Sequence, residues 1–272
     1  MIFVCPKCKE KLNIRETDKC AFCQNGHSFD RAAAGYYNLL LGVSGGTHGD
    51  NKEMVEARRS FLMSGYYSGL CDRVAELVCS YTQRGGVILD AGAGEGYYTD
   101  AIEKSIYDRD GESRVLAFDI SKDAVKNIAK KNKRIESVVA GSYDMPLSSE
   151  SVDTVVNIFS PLALDEVRRT LRRGGYFIMV FPDRRHLYAL KSAIYDTPYE
   201  NSPQETQLDG FELVHSENVT YTMHLEGKEN IRNLFMMTPY AYRTGKAQRD
   251  RIDGLTRLDC EADFIVLVYK RL

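Results

Sequence analysis

The sequence predicts an α/β molecule: a mostly parallel sheet with helices on both faces, preceded by a small segment that metal holds together. From Val87 to Pro182, apolar runs of strand length alternate with amphipathic helical stretches, and repeated strand-helix-strand units build parallel sheets. The first thirty residues are unlike the rest. They carry Cys5-Pro-Lys-Cys8, Cys20-Ala-Phe-Cys23 and His27, with no helical period and little to bury. So short a segment needs a staple, since domains below about 40 residues usually rely on metals or disulfides.

The elements follow in order. Asp30 to about Gly49 reads as a glycine-interrupted linker, and Asn51 to Met63 as a charged helix stopped by Ser64-Gly65. Leu70, Val74, Leu77, Val78 and Tyr81 form one stripe of an amphipathic helix that Gly85-Gly86 ends. Then come strand Val87 to Asp90, a glycine loop, helix Tyr97 to Ser105, strand Arg114 to Asp119 and helix Lys122 to Lys133. Strands Glu136 to Ala140 and Val152 to Phe159 follow, then helix Leu164 to Arg172 closed by Gly174-Gly175, and an apolar strand Tyr176 to Pro182. Phe211 to Tyr221 and Ala262 to Lys270 are two late strands that would pair antiparallel at a sheet edge, with a helix near Asn230 to Met237 between them. The expected division is a metal-binding module at 1–35, a linker and helix at 36–64, and the α/β domain at 65–272.

Composition narrows the function. With 272 residues, 43% hydrophobic and 27% charged, the chain has material for a core and no case for disorder. Lys and Arg number 36 against 38 Asp and Glu, so no global positive field draws the chain onto nucleic acid or an anionic membrane, and such binding must use local patches. No apolar run approaches the roughly 18 residues of a membrane span, and the short apolar start before Pro6 is not a secretory core, so a cytoplasmic protein is expected. Seven cysteines, four of them within the first 23 residues, suit metal ligation in a reducing compartment better than disulfides.

A Cys-x2-Cys knuckle turns two thiolates toward one point, and two more ligands complete a tetrahedron around zinc. Here five candidates compete for four places. Cys5, Cys8, Cys20 and Cys23 make one set; Cys5, Cys8, Cys23 and His27 make another, and spacing alone does not choose. Either site is closed to water, so the zinc is structural, and its binding free energy folds the segment.

Leu89-Asp90-Ala91-Gly92-Ala93-Gly94-Glu95-Gly96 leaves a strand and opens a helix, the placement in which glycines let backbone approach a nucleotide ligand. Its G-x-G-x-G spacing departs from the G-x-G-x-x-G of dinucleotide sites. Asp90 at the loop entrance suits a nearby positive charge. Asp119 ends the next strand, where a carboxylate accepts hydrogen bonds from ribose hydroxyls. Together they imply a nucleoside with a cationic tail, which S-adenosylmethionine fits better than NAD does.

The loop, Asp119 and Ala140-Gly-Ser-Tyr-Asp-Met-Pro146 resemble class I S-adenosylmethionine-dependent methyltransferases. The whole chain resembles the bacterial 23S rRNA (guanine-N1)-methyltransferase family, RlmA or RrmA. The likeness runs through Cys-Pro-x-Cys at 5–8, Cys23-x3-His27-Ser-Phe-Asp30, Gly35-Tyr36-x-Asn38-Leu39-Leu40 and Glu53-Met54-x2-Ala57-Arg58-Arg59-x-Phe61-Leu62. It continues in Gly94-Glu-Gly-Tyr-Tyr-Thr99, Arg185-His186-Leu187 and Met237-Thr238-Pro239. The resemblance implies a Rossmann-like sheet, mostly parallel with an antiparallel edge strand, behind a small zinc-ribbon-like domain. It also implies zinc on Cys5, Cys8, Cys23 and His27, with Cys20 a neighbour that leaves exchange with His27 open. Cofactor contacts carry over to Tyr67, Glu95, Gly96 and His186, beside Asp90, Gly92, Gly94 and Asp119 from the loop reading, and the general methyltransferase fold adds Ser142 and Tyr143 beside the adenine. The implied partner is a hairpin of 23S rRNA, with no membrane and room for a homodimer. Thr47-His48-Gly49-Asp50 looks like the branch from Gram-positive bacteria.

Guanine N1 lies on the Watson–Crick edge and carries a proton, so the base must leave its pair or come from a loop. Asn157-Ile158-Phe159-Ser160-Pro161 stands where methyltransferases of this class hold the acceptor, and it lacks the Asn-Pro-Pro-aromatic form of enzymes acting on exocyclic amines. The base that takes the proton is not assigned; Asp183, Glu95 and His186 are the candidates. Arg168, Arg169, Arg172, Arg173, Arg184, Arg185 and Lys191 form a basic stretch that would meet phosphate or simply face solvent. The tyrosine pairs at 36–37, 66–67 and 97–98 would stack on bases or cofactor, or share in the core. Two competing functions are a small-molecule methyltransferase, which would turn over without residues 1–30, and a non-catalytic RNA-binding scaffold, which need not bind the cofactor.

Overall fold

The computed structural model describes residues 2–14, 19–42 and 52–272. Thr47-His48-Gly49-Asp50, and with it the reading placed on that stretch, lies outside them. Near the N-terminus β1 (Asn13–Ile14), β2 (Cys20–Phe22) and β3 (Ser28–Asp30) make a small antiparallel sheet in that order. The chain continues through β4 (Tyr37–Asn38), α1 (Lys52–Met63), α2 (Ser68–Tyr81), β5 (Val87–Ala91), α3 (Tyr97–Arg109), β6 (Arg114–Asp119) and α4 (Lys122–Lys131). Next are β7 (Glu136–Val139), a 3-10 turn (Ser142–Asp144), β8 (Val152–Ile158), α5 (Leu164–Thr170), β9 (Leu171–Pro182) and α6 (Tyr188–Ile194). A long hairpin, β10 (Phe211–Glu226) and β11 (Arg257–Arg271), closes the molecule, with α7 (Lys228–Met236), α8 (Tyr240–Arg243) and α9 (Lys246–Asp253) inserted at its tip.

The large sheet has the order β10-β11-β9-β8-β5-β6-β7-β4. From β9 to β4 the strands are parallel; β11 and β10 run antiparallel at one edge, the arrangement expected for the two late strands. All of β5 and β8 is buried, and period-2 alternation divides their side chains between two cores. Ile88, Val156 and Ile178 face Leu70, Val74 and Val78 of α2 and Ile102 and Ile106 of α3. Leu89, Leu116, Phe118 and Val155 face the other way, onto a core that also contains Phe3, Cys5, Leu12, Ala21 and Cys23.

That second core joins the N-terminal ribbon and the segment after it to the sheet. The N-terminal ribbon packs on the sheet domain: Phe3 bridges to Leu147, the Val4 N–H donates to the Pro146 carbonyl at 2.8 Å, and Lys9 pairs with Asp144. Residues 36–42 pack on it as well: β4 adds a strand beside β7, and Tyr36, Tyr37 and Leu39 are at most 4% exposed. Gly174-Gly175 lies inside β9 rather than at a helix stop. Gly174 takes φ +74°, and a Cβ on Gly175 would meet the Asp153 carbonyl at 2.7 Å, so both glycines serve the strand's entry.

Candidate active site and metal centre

The first knuckle places Cys5 and Cys8 beside the turn between β2 and β3. There the Cys23 N–H donates to the His27 carbonyl at 3.0 Å, and Gly26, at φ +79°, closes the turn. The ligand atoms of Cys5, Cys8, Cys23 and His27 all lie within 4.8 Å of one another. The Cys8 and Cys23 sulfurs are 3.6 Å apart, and His27 Nδ1 stands 3.5 Å from Cys5 Sγ and 3.4 Å from Cys23 Sγ. Zinc bonds of about 2.3 Å to sulfur and about 2.0 to 2.1 Å to nitrogen give tetrahedral edges of about 3.8 and 3.6 Å, so this donor set fits the ion. Cys20 opens β2, opposite Asp30, and is not part of the cluster.

A cavity of about 1300 Å³ opens at the carboxyl ends of the central strands, beside β5, where the chain order reverses between β6 and β8. This is where open α/β sheets bind ligands. The residues predicted at the cofactor line it: Tyr67, Asp90, Gly92, Gly94, Glu95, Asp119, Ser142, Tyr143 and His186. Gly96 does not line it; it stands behind the loop at φ +84°, where a Cβ would be 2.7 Å from Ile128 Cγ1. Gly92, at φ +85°, has Ser160 against it, with 2.1 Å from a hypothetical Cβ to Oγ. Gly94 alone of the three faces open space, at φ +54° with nothing within 4 Å of a Cβ.

The acids have distinct surroundings. Asp90 is 2% exposed, and burial pushes its carboxyl up to about 7 although Thr99 Oγ1 donates to Oδ2 at 2.6 Å. Asp119 accepts from the Gly94 N–H at 2.9 Å and from the Ser121 N–H at 2.7 Å, which ties the glycine loop to the end of β6.

His186 is buried, and its burial, with Lys191 nearby, pulls it down to about 3, so the ring is neutral. The Asp263 N–H donates to Nδ1 at 3.3 Å, which leaves the ring hydrogen on Nε2, 3.2 Å from the Tyr67 hydroxyl. Nε2 therefore donates to Tyr67, and the phenolic hydrogen is left for a partner in the cavity. With both nitrogens committed, His186 is removed as a candidate base. Asp183 is removed too: it accepts from the Arg184 N–H and from Asn218 Nδ2, both at 2.7 Å, and does not line the cavity. Glu95 is the candidate that stays on the wall.

Two features add to what sequence reasoning found: the conformation of Phe159, within the segment expected to hold the acceptor, and the place of Pro6. Phe159 holds φ +56°, a strained conformation for an aromatic residue, and is 42% exposed beside Tyr98, 6.3 Å away between ring centroids. Pro6, between two metal ligands, lines the same cavity as Gly94 and Asp119. The expected basic stretch, by contrast, is occupied. Arg168, Arg169, Arg172, Arg173, Arg184 and Arg185 each pair with a carboxylate, and Lys191 is fully buried, donating to the Tyr199 carbonyl at 3.1 Å and to Asn201 Oδ1 at 2.6 Å. Its role is structural: it pins the segment after α6 against the cavity.

Two family models match the chain: a methyltransferase domain over residues 89–179, and the zinc ribbon described as RlmA, N-terminal, over residues 3–41. A 23S rRNA (guanine(748)-N(1))-methyltransferase of Streptomyces fradiae is 35% identical over 193 residues, spanning 70% of this chain and 66% of that protein. Two proteins provisionally named 23S rRNA (guanine-N(1)-)-methyltransferases align over greater lengths. That of Micromonospora griseorubida is 29% identical, covering 90% of this chain and 88% of its own; that of Bacillus subtilis is 28% identical, covering 98% and 96%. No helix among the described residues is long and apolar enough to cross a membrane.

Proposed function

Because the chain belongs to the RlmA family, an S-adenosylmethionine-dependent methyltransferase domain behind a zinc ribbon, we propose that it methylates N1 of a guanine in a hairpin of 23S rRNA. The observation that carries the RNA reading is the fusion of the two sites. The zinc knuckle supplies Pro6 to the wall of the cavity that Gly94 and Asp119 also line, and Lys9 pairs with Asp144 at its rim. Such a ribbon shapes the mouth through which an acceptor enters. We assign residues 1–35 to RNA recognition and 65–272 to methyl transfer, with 36–64 joining them.

When bound, S-adenosylmethionine supplies an electrophilic methyl group on a sulfonium. Gly94 offers bare backbone to the nucleoside, Asp119 takes the ribose hydroxyls, and Ser142 and Tyr143 border the adenine. Asp90 and the Tyr67 hydroxyl, oriented by His186, face the charged end. Phe159 and Tyr98 form an aromatic wall on which an extruded guanine stacks, and such contacts are worth about 1–3 kcal/mol per base. Holding N1 in line with sulfur and methyl removes roughly 7 to 11 kcal/mol of the barrier. The N1 proton passes to water or to Glu95.

Mass spectrometry of 23S rRNA from cells with and without the gene tests the proposal. Loss of one N1-methylguanine from a hairpin is expected, and identical spectra would contradict it.

A further inference from the structure

A second cavity of about 500 Å³ lies next to the first and is unused by the reading above. Its walls come from the end of α1 (Arg59, Leu62, Met63) and of α4 (Asn127, Lys130, Lys131), and Leu62, Glu95 and Tyr97 are shared with the donor cavity. Its character is unlike that of the arginine stretch around α5 and β9. Arg59 and Lys130 are exposed, and among the described residues neither has a carboxylate partner, whereas Lys131 is tied to Asp100 at 2.8 Å. Glu95 is 8% exposed and lines both cavities. Met63 is 65% exposed and lines the notch together with Tyr97, so the notch combines apolar contact area with positive charge. On a chain whose net charge is −2, two unpaired cations on the rim of an apolar notch require an account.

We infer that this notch receives a nucleotide of the substrate RNA flanking the target, its base against Met63 and Tyr97 and its phosphate on Arg59 and Lys130. The inference rests on the rRNA reading and refines it: it assigns the path by which the strand leaves the donor cavity. A phosphate there gains two charge-assisted contacts, and an apolar base covers an otherwise exposed methionine.

The test compares the full-length, zinc-loaded chain with the double variant Arg59→Gln/Lys130→Gln and with the charge-preserving Arg59→Lys/Lys130→Arg. Affinity for an unmodified 23S rRNA hairpin is measured across salt concentrations, and S-adenosylmethionine affinity by calorimetry. One neutralised phosphate contributes about 0.7 to 0.9 to the slope of log K against log salt, so removing both cations should flatten the slope by about that much. The glutamine pair is expected to lose both contacts and to bind the hairpin several-fold more weakly at low salt, with donor affinity unchanged. The charge-preserving pair should recover the wild-type slope. A wild-type slope in the glutamine pair overturns the notch and leaves the rRNA reading standing; failure of the wild-type chain to bind the hairpin overturns both.

Discussion

Asp90 is a carboxyl held near neutrality in a cavity meant for a cation. Its folded value is raised from 3.8 to about 7, so in the free protein it loses its charge as pH falls through 7. A sulfonium or ammonium beside it favours the carboxylate, so binding releases a proton and donor affinity should rise with pH up to about 7 and level above it. Asp90→Asn should remove this dependence, as calorimetry from pH 6 to 8 will show. The glycines separate packing from ligand approach. Gly92→Ala drives a Cβ into Ser160 and should lower the stability of the free protein. Gly94→Ala meets nothing there, so it should cost about 1–2 kcal/mol of backbone strain yet weaken donor binding at least about tenfold. Phe159→Ala is expected to raise the KM for rRNA several-fold and leave donor affinity intact, as steady-state kinetics with each substrate varied would reveal. At this scale Gly92, Gly94 and Asp119 were legible because a strand-loop-helix context gives glycines and acids one meaning. The segment holding Phe159 was legible as the acceptor side, but its conformation was not, since a left-handed φ on a phenylalanine leaves no mark in composition. The arginines were misleading for the same reason: sequence counts charges but does not show the carboxylates folded against them.

Elements were legible where periodicity was strong. β5, β6, β8 and α2 follow directly from apolar runs and one helical stripe. β4 has two residues, and its identity depends on β7 lying alongside, a tertiary fact that no local pattern carries. α6 and α9 were hidden because they are short, α6 packing on β11 and α9, and α9 on α6 and α7, rather than displaying a long stripe. The zinc ribbon is the element whose stability is most open to measurement. Metal binding and folding are one equilibrium in such sites, and the ribbon shares its core with the sheet. Chelation, or Cys23→Ser, should therefore lower the melting temperature of the whole chain by roughly 10 °C, not merely loosen a tail. An unchanged calorimetric transition would mean that the ribbon folds without the ion.

At the scale of the whole molecule, one core serves both halves, with Phe3 and Cys5 packed in the cluster that holds Leu89 and Phe118. Deleting the first thirty residues therefore does not separate RNA recognition from catalysis, because it also strips a face of the sheet. Point changes at the rim, such as Lys9→Ala, leave that core in place and are the better probe of the ribbon's part in acceptor entry. On the proposed function the donor sits at the centre of the sheet and an RNA base on the aromatic wall beside it, with the ribbon at the mouth. The most direct measurement is to incubate the zinc-loaded protein with methyl-labelled S-adenosylmethionine and unmodified 23S rRNA and to map the label. Label on N1 of one guanine in a hairpin is the expected result; label on another atom, or none in the RNA, would contradict it.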